Sequence, residues 1–140
     1  MLISIIIPAF NEENTIGTLL SKIKTVEIQS EISLEVIVVN DGSSDKTAKI
    51  VSSFDGIKLI NQLNQGKGSA VQKGIAVANG DYILIQDADL EYSPDDYRVL
   101  FEPIKNKTKQ LSVYGRRKKS EDDFSTKFIS WLKKHPDQPV

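Results

Sequence analysis

Asp81-Tyr82-Ile83-Leu84-Ile85-Gln86-Asp87-Ala88-Asp89 decides the fold, because an apolar run of strand length delivers two carboxylates into a loop. Asp81 to Ile85 has the length and the β-rich composition of a buried strand. Beyond the loop, Ser93-Pro94-Asp95-Asp96 reads as a helix start, with Ser as N-cap, Pro at the first helical position and two acids in the first turn. Two carboxylates one residue apart at the C-terminal edge of a strand can hold a hard divalent cation through oxygen. Spacing alone says little. With 11 Asp in 140 residues, chance places about one Asp-x-Asp in such a chain, so the surroundings must supply the specificity.

Working outward, strand-like and helix-like segments alternate from the first residues. Leu2–Ile7 predicts a buried strand ending at Pro8, and Asn11 a cap for a helix to about Lys24 with Ile16, Leu19, Leu20 and Ile23 on one face. Leu34–Val39 predicts a second strand, followed by the turn-rich Asn40-Asp41-Gly42-Ser43-Ser44. A helix from about Asp45, burying Ala48, Val51 and Phe54, leads to a short strand at Ile57–Ile60. Gly68–Ala78 predicts a helix stopped by Asn79-Gly80. After the Asp81–Ile85 strand come a helix near Asp96–Ile104 and a last strand near Leu111–Tyr114. This alternation predicts a parallel sheet flanked by helices, with strands beginning near Leu2, Leu34 and Asp81 at its centre. In such sheets ligands bind beyond the carboxyl ends of strands. Three polar clusters fall there: Ala9-Phe10-Asn11-Glu12, Asn40-Asp41-Gly42-Ser43 and Gln86-Asp87-Ala88-Asp89.

The bulk numbers bound the function. A chain of 140 residues with 39% hydrophobic residues suits one sizeable core. A net charge of -1 gives no global attraction to nucleic acid. There is no Cys, which excludes disulfides and thiolate metal sites and accords with a reducing compartment. Leu2–Ile7 is too short for a signal peptide or a membrane span. The expectation is a cytoplasmic protein.

The clusters together resemble the family 2 glycosyltransferases, and most of all their polyprenyl-phosphate sugar transferase branch. The stretches that carry the likeness are Ile5-Ile6-Ile7-Pro8-Ala9-Phe10-Asn11-Glu12-Glu13, Val38-Val39-Asn40-Asp41-Gly42-Ser43-Ser44-Asp45, Asn64-Gln65-Gly66-Lys67-Gly68 and Gly80-Asp81-Tyr82 through Asp87-Ala88-Asp89-Leu90. They stand in family order over roughly residues 2 to 117. The resemblance implies an α/β, Rossmann-like GT-A fold and a catalytic domain over 1–117. Residues 118–140 would form a charged loop, an amphipathic helix with Phe124, Phe128, Trp131 and Leu132 on one face, and a tail. It also implies an inverting transfer from a GDP- or UDP-linked sugar to a polyprenyl phosphate, at the cytoplasmic membrane face. Pro8, Phe10 and Glu12 would line the nucleotide site, Val39 and Asp41 would lie beside base and ribose, and Ala88 would line the donor site. Asp87 and Asp89 would approach the diphosphate and bind Mg²⁺ or Mn²⁺, with Glu91 nearby. Asp89 and Arg117 would be catalytic, although Arg116 stands where the branch carries Ser. Lys67, Arg116 and Arg117 would add positive charge.

Blander readings stand beside these. Asp41 equally fits an Asx-turn with Gly42, and Glu12 a complement to a helix N-terminus. Lys67 between two glycines lacks the phosphate-loop spacing, since Asn61 occupies the first glycine position, so a plain loop fits equally. Arg116 to Lys119 fits a solvated charge run or a membrane headgroup contact. A nucleotide-sugar-binding domain that does not catalyse, or a truncated transferase, is the alternative function. An uncovered Phe124–Trp131 face would call for self-association or lipid contact.

Overall fold

The computed structural model describes residues 1–104, 114–116 and 128–133. The parallel strands are β1 (Leu2–Ala9), β2 (Ser33–Asp41), β3 (Ile57–Gln62) and β4 (Tyr82–Ile85), separated by α1 (Ile16–Thr25), α2 (Thr47–Ser52) and α3 (Lys67–Val77). After β4 come α4 (Tyr97–Phe101), β5 (Tyr114–Arg116) and β6 (Phe128–Lys133). The order across the sheet is β3-β2-β1-β4-β6-β5. β1 is paired in parallel on both sides, Ile5 opposite Val36 in β2 and opposite Leu84 in β4. The strands starting near Leu2, Leu34 and Asp81 are therefore parallel and central, as the sequence predicts.

Strand alternation builds two cores. Ile3, Ile5, Ile7, Val36, Val38, Tyr82 and Leu84 face one side, where Ile16, Leu19, Leu20 and Ile23 of α1 and Leu100 and Phe101 of α4 pack on them. Ile6, Ile37, Val39 and Ile83 face the other, beneath Ala70 of α3. Because both faces are covered, the strands read as continuous apolar runs, with side chains alternating between layers. The α1 face is the one expected from its 3.6-residue period.

Several boundaries differ from the sequence reading. α1 begins at Ile16, not near Asn11. Asn11 has φ 52°, and its side-chain Oδ1 accepts from the Ser44 N–H at 2.9 Å, so it ties two loops together instead of capping a helix. α2 begins at Thr47, with Asp45 Oδ1 accepting from the Thr47 N–H at 2.9 Å. The segment expected as one helix over Asp96–Ile104 is a 3₁₀ turn at Pro94–Asp96, the short α4, and a second 3₁₀ turn at Glu102–Ile104. Ser93 caps it as expected, its Oγ accepting from the Asp95 N–H at 3.2 Å. The last expected strand near Leu111–Tyr114 is met only at Tyr114, and 111–113 lie outside the described residues.

The largest correction concerns the end of the chain. Phe128–Lys133 is strand β6, not part of an amphipathic helix over Phe124–Leu132. It runs antiparallel to β4, with Tyr82 opposite Lys133 and Leu84 opposite Trp131. The physical reason is twofold: Phe, Ile and Trp have high strand propensity, and β4 offers an edge of backbone donors and acceptors that a strand can satisfy. Residues 124–127 lie outside the described ones. No helix among the described residues is long and apolar enough to cross a membrane.

Candidate functional site

β1 connects through α1 to β2 on one side of it, whereas the chain returns through α3 to β4 on the other. The strand order thus reverses at β1 and β4, and the loops leaving their carboxyl ends diverge to leave a crevice. A cleft of about 420 Å³ opens there, lined by Pro8, Ala9, Phe10, Glu12, Asp41, Asn64, Gly66, Lys67, Asp87, Ala88 and Asp89. This is a volume suited to a small-molecule ligand. All three polar clusters singled out in the sequence reach it.

The walls are held by side chains that bond to neighbouring loops. Asp41, only 4% exposed, accepts at Oδ1 from Gln62 Nε2 and the Gln65 N–H, each at 2.8 Å, and at Oδ2 from the Gly66 N–H at 2.9 Å. Burial pushes its carboxyl up, but these donors together outweigh that and hold it below the ordinary carboxylate value. Asp41 therefore clamps the loop into α3 while lining the cleft. Gly42 follows with φ +73°, and a Cβ there would lie 2.7 Å from the Asn64 backbone nitrogen. Only glycine lets the two loops approach this closely. Glu12 Oε2 accepts from Thr15 Oγ1 at 2.9 Å, and the Glu12 N–H donates to Thr47 Oγ1 at 2.9 Å.

The floor beneath Asp87 and Asp89 is set by Gln86, which is fully buried. Its Nε2 donates to the carbonyls of Asp87 and Tyr92, each at 3.1 Å, and its Oε1 accepts from the Tyr97 hydroxyl at 2.8 Å. Tyr97 stacks on Phe101 with ring centroids 5.4 Å apart. The acidic loop is thus pinned at both ends from below. Leu90 has φ 63°, an uncommon conformation for a leucine, and the Glu91 N–H then reaches back to Asp89 Oδ1 at 3.2 Å.

The charge balance of the cleft is acidic. Glu12, Asp41, Asp87 and Asp89 line it, and Lys67 is the one basic side chain lining it among the described residues. Lys67 is the first residue of α3 and its Nζ pairs with Asp87 Oδ1. Among the described residues no group of three or more His, Cys, Asp or Glu is placed to hold a metal ion. An all-protein metal cage is therefore not assembled there. Two neighbouring carboxylates are nevertheless the donor set that Mg²⁺ or Mn²⁺ takes when phosphate oxygens and water complete its shell. Asp87 and Asp89 fit such a cation.

Of the residues expected at the site, Pro8, Phe10, Glu12, Asp41, Lys67, Asp87, Ala88 and Asp89 meet in one cleft. Val39 does not: it is fully buried in the apolar layer under α3, because strand alternation turns it away from its neighbour Asn40. Glu91 is exposed outside the lining and contributes its backbone N–H to Asp89. Arg117 lies outside the described residues. Sequence reasoning missed Asn64 and Gly66 as lining residues and Gln86 as the brace. A polar residue closing an apolar strand was the available signal for Gln86.

An open α/β domain with a cleft at its switch point, and two carboxylates at the edge of a central strand, has the architecture of the GT-A fold. The chain matches the family described as glycosyl transferase family 2 over residues 4–138, and it belongs to that family. It is similar to a dolichyl-phosphate beta-glucosyltransferase of Trichomonas vaginalis, 35% identical over 144 residues covering 91% of this chain and 45% of that protein. It spans less than half the length of the curated relatives it matches. Two solved GT-A structures are similar. A mannosyltransferase from Pyrobaculum calidifontis, in complex with GDP-Man and Mn²⁺, has a TM-score of 0.60 at 27% identity and covers 67% of this chain and 29% of that one. The glucosyl-3-phosphoglycerate synthase of Mycobacterium tuberculosis, in complex with Mn²⁺, UDP and glucosyl-3-phosphoglycerate, has a TM-score of 0.61 at 27% identity, covering 73% and 39%.

Proposed function

We propose that this chain carries the donor side of an inverting glycosyltransferase that moves a sugar from a GDP- or UDP-linked donor to a polyprenyl phosphate, with Mg²⁺ or Mn²⁺ as cofactor. The observation that carries this reading is the convergence of Asp87, Asp89 and Lys67 with Pro8, Phe10 and Glu12 on one cleft. The acceptor class is supported by the likeness to a dolichyl-phosphate glucosyltransferase. Nucleotide and metal are supported by the GDP-Man, UDP and Mn²⁺ complexes of the structural neighbours. Such an acceptor assigns the working protein to a membrane surface, in keeping with the expected cytoplasmic face.

In this mechanism Phe10, 48% exposed at the cleft mouth, offers a face for the base, and Pro8 and Glu12 flank the nucleoside. Asp87 and Asp89 would hold the cation, which when bound would offset the negative charge that builds on the leaving diphosphate. Lys67 and Arg117 supply further positive charge at that diphosphate. An oxygen of the acceptor phosphate bonds to the anomeric carbon as the bond to the diphosphate oxygen breaks. The electron pair leaves with the diphosphate, through an oxocarbenium-like state, and one displacement inverts the configuration. The acceptor phosphate is already anionic, so no general base is required.

Every described cleft residue with a role in this proposal acts on the donor, which favours one second reading: a domain that binds nucleotide sugar without completing transfer. The test titrates GDP, UDP and the bare nucleosides into wild type and Asp89→Ala, with Mn²⁺ and then with EDTA. Diphosphate affinity should fall by about tenfold or more in Asp89→Ala and in EDTA, with nucleoside affinity little changed. Equal diphosphate affinity in all conditions removes the metal from the assignment. Assays of donor hydrolysis and of transfer to a polyprenyl phosphate then separate the two readings.

A further inference from the structure

The cleft holds one basic side chain among the described residues, and it is bonded to a carboxylate that the proposed function gives to a cation. Lys67 Nζ sits on Asp87 Oδ1, with the Lys67 side chain 62% exposed and that of Asp87 18%. The backbone beneath Lys67 is fixed, because Asp41 accepts from the N–H groups of Gln65 and Gly66. The side chain above it is largely exposed to solvent. An anchored backbone and a long, largely exposed side chain let the ammonium exchange partners while its helix stays in place. The ammonium and a divalent cation bound at Asp87 repel one another, whereas a diphosphate attracts both.

We propose that Lys67 is an internal stand-in for the cation: it neutralises Asp87 while the donor is absent and transfers to the donor diphosphate when the cation takes Asp87. This rests on the reading of Asp87 and Asp89 as the cation's ligands. Its consequence is thermodynamic coupling. A cation arriving alone must displace the ammonium from Asp87 and brings no new anion for it. A cation arriving with a nucleoside diphosphate provides that anion. Metal and nucleotide therefore strengthen each other's binding, and by linkage the effect is equal in both directions.

The test measures Mn²⁺ binding by electron paramagnetic resonance of the free ion, using the full chain as wild type, Lys67→Met, Lys67→Gln and Lys67→Arg, with and without GDP or UDP. Lys67 is exposed, so these variants should melt with wild type, and two neutral replacements guard against an idiosyncratic one. Both neutral variants should bind Mn²⁺ alone about three- to fivefold more tightly than wild type, the scale of an exposed ion pair. In them the strengthening of Mn²⁺ binding by GDP or UDP should shrink by a similar factor. The gap should narrow in 1 M KCl, and Lys67→Arg should keep the wild-type coupling. Unchanged or weaker Mn²⁺ binding in both neutral variants overturns the exchange while leaving the metal assignment intact, provided wild type binds Mn²⁺ with nucleotide and Asp89→Ala does not. If wild type binds no Mn²⁺ with either nucleotide, the metal assignment fails and the exchange fails with it.

Discussion

Asp41 and Gly42 are adjacent, and they hold the cleft by opposite means, one by accepting bonds and the other by having no side chain. Replacing Gly42 with Ala adds a Cβ at a positive φ, against a backbone atom that cannot rotate away. The two penalties together predict a loss of about 2–4 kcal/mol in stability, read as a lower urea midpoint with an unchanged slope. Asp41 carries a pH signature. Its folded pKa lies below the ordinary value of 3.8. The stability it contributes is therefore complete above that value and is lost as pH falls through the lower folded value. Urea midpoints measured between pH 6 and about pH 2 should fall more steeply in wild type than in Asp41→Asn, which has no such proton to take up. The variant should be less stable at neutral pH, since an amide offers one acceptor atom where the Gln65 and Gly66 N–H groups and Gln62 need two. Parallel pH profiles would mean that the carboxylate is not what these donors hold.

At the scale of elements, the loop from Asp87 to Tyr92 is shaped more by what lies under it than by its own sequence. Gln86 donates to both ends of the loop and accepts from Tyr97 on α4. Gln86→Leu takes a donor from two carbonyls, one of them buried, and the acceptor from the buried Tyr97 hydroxyl, predicting a loss of about 2–4 kcal/mol. Tyr97→Phe strands only the Gln86 oxygen and should cost about 1–3 kcal/mol. Because the two share one bond, the double variant should cost less than the sum, which denaturant titration of all three would reveal. Diphosphate affinity with Mn²⁺ should fall in Gln86→Leu, because Asp87 and Asp89 lose their support. Here also lies the limit of the sequence. The strands were legible because the central stretches of β1, β2 and β4 are buried on both faces and so read as near-continuous apolar runs. α1 was legible because its apolar face repeats every three to four residues. The start of α1 was not, because Asn11 satisfies a loop 33 positions away and no local rule reports that. β6 was misread because Phe128 to Leu132 suits a strand or a helix alike, and only an edge contributed by β4 decides between them. Val39 was misplaced for a simpler reason, since the two-residue alternation of a strand assigns it and Asn40 to opposite faces.

On the scale of the whole molecule, the cleft is where separately anchored parts of the chain meet: the loops after β1, β2 and β4, and the start of α3. Those parts belong to different layers, since α1 and α4 pack on one face of the sheet and α3 on the other. A ligand that contacts all of them binds only the folded chain, because unfolding disperses residues as far apart in sequence as Pro8 and Asp89. It must therefore raise the stability of the entire domain by mass action. At a free concentration 100 times its dissociation constant the gain is about 2.7 kcal/mol. For a domain of this size that corresponds to a rise in melting temperature of roughly 7–12 °C. GDP or UDP with Mn²⁺ should produce this rise, and EDTA should abolish most of it in wild type. Asp89→Ala should melt near wild type without ligand, since its carboxylate lines the cleft rather than the core, yet gain little from nucleotide and Mn²⁺ together. A thermal scan that finds equal nucleotide-induced shifts in wild type and Asp89→Ala would place the diphosphate away from this edge of the sheet.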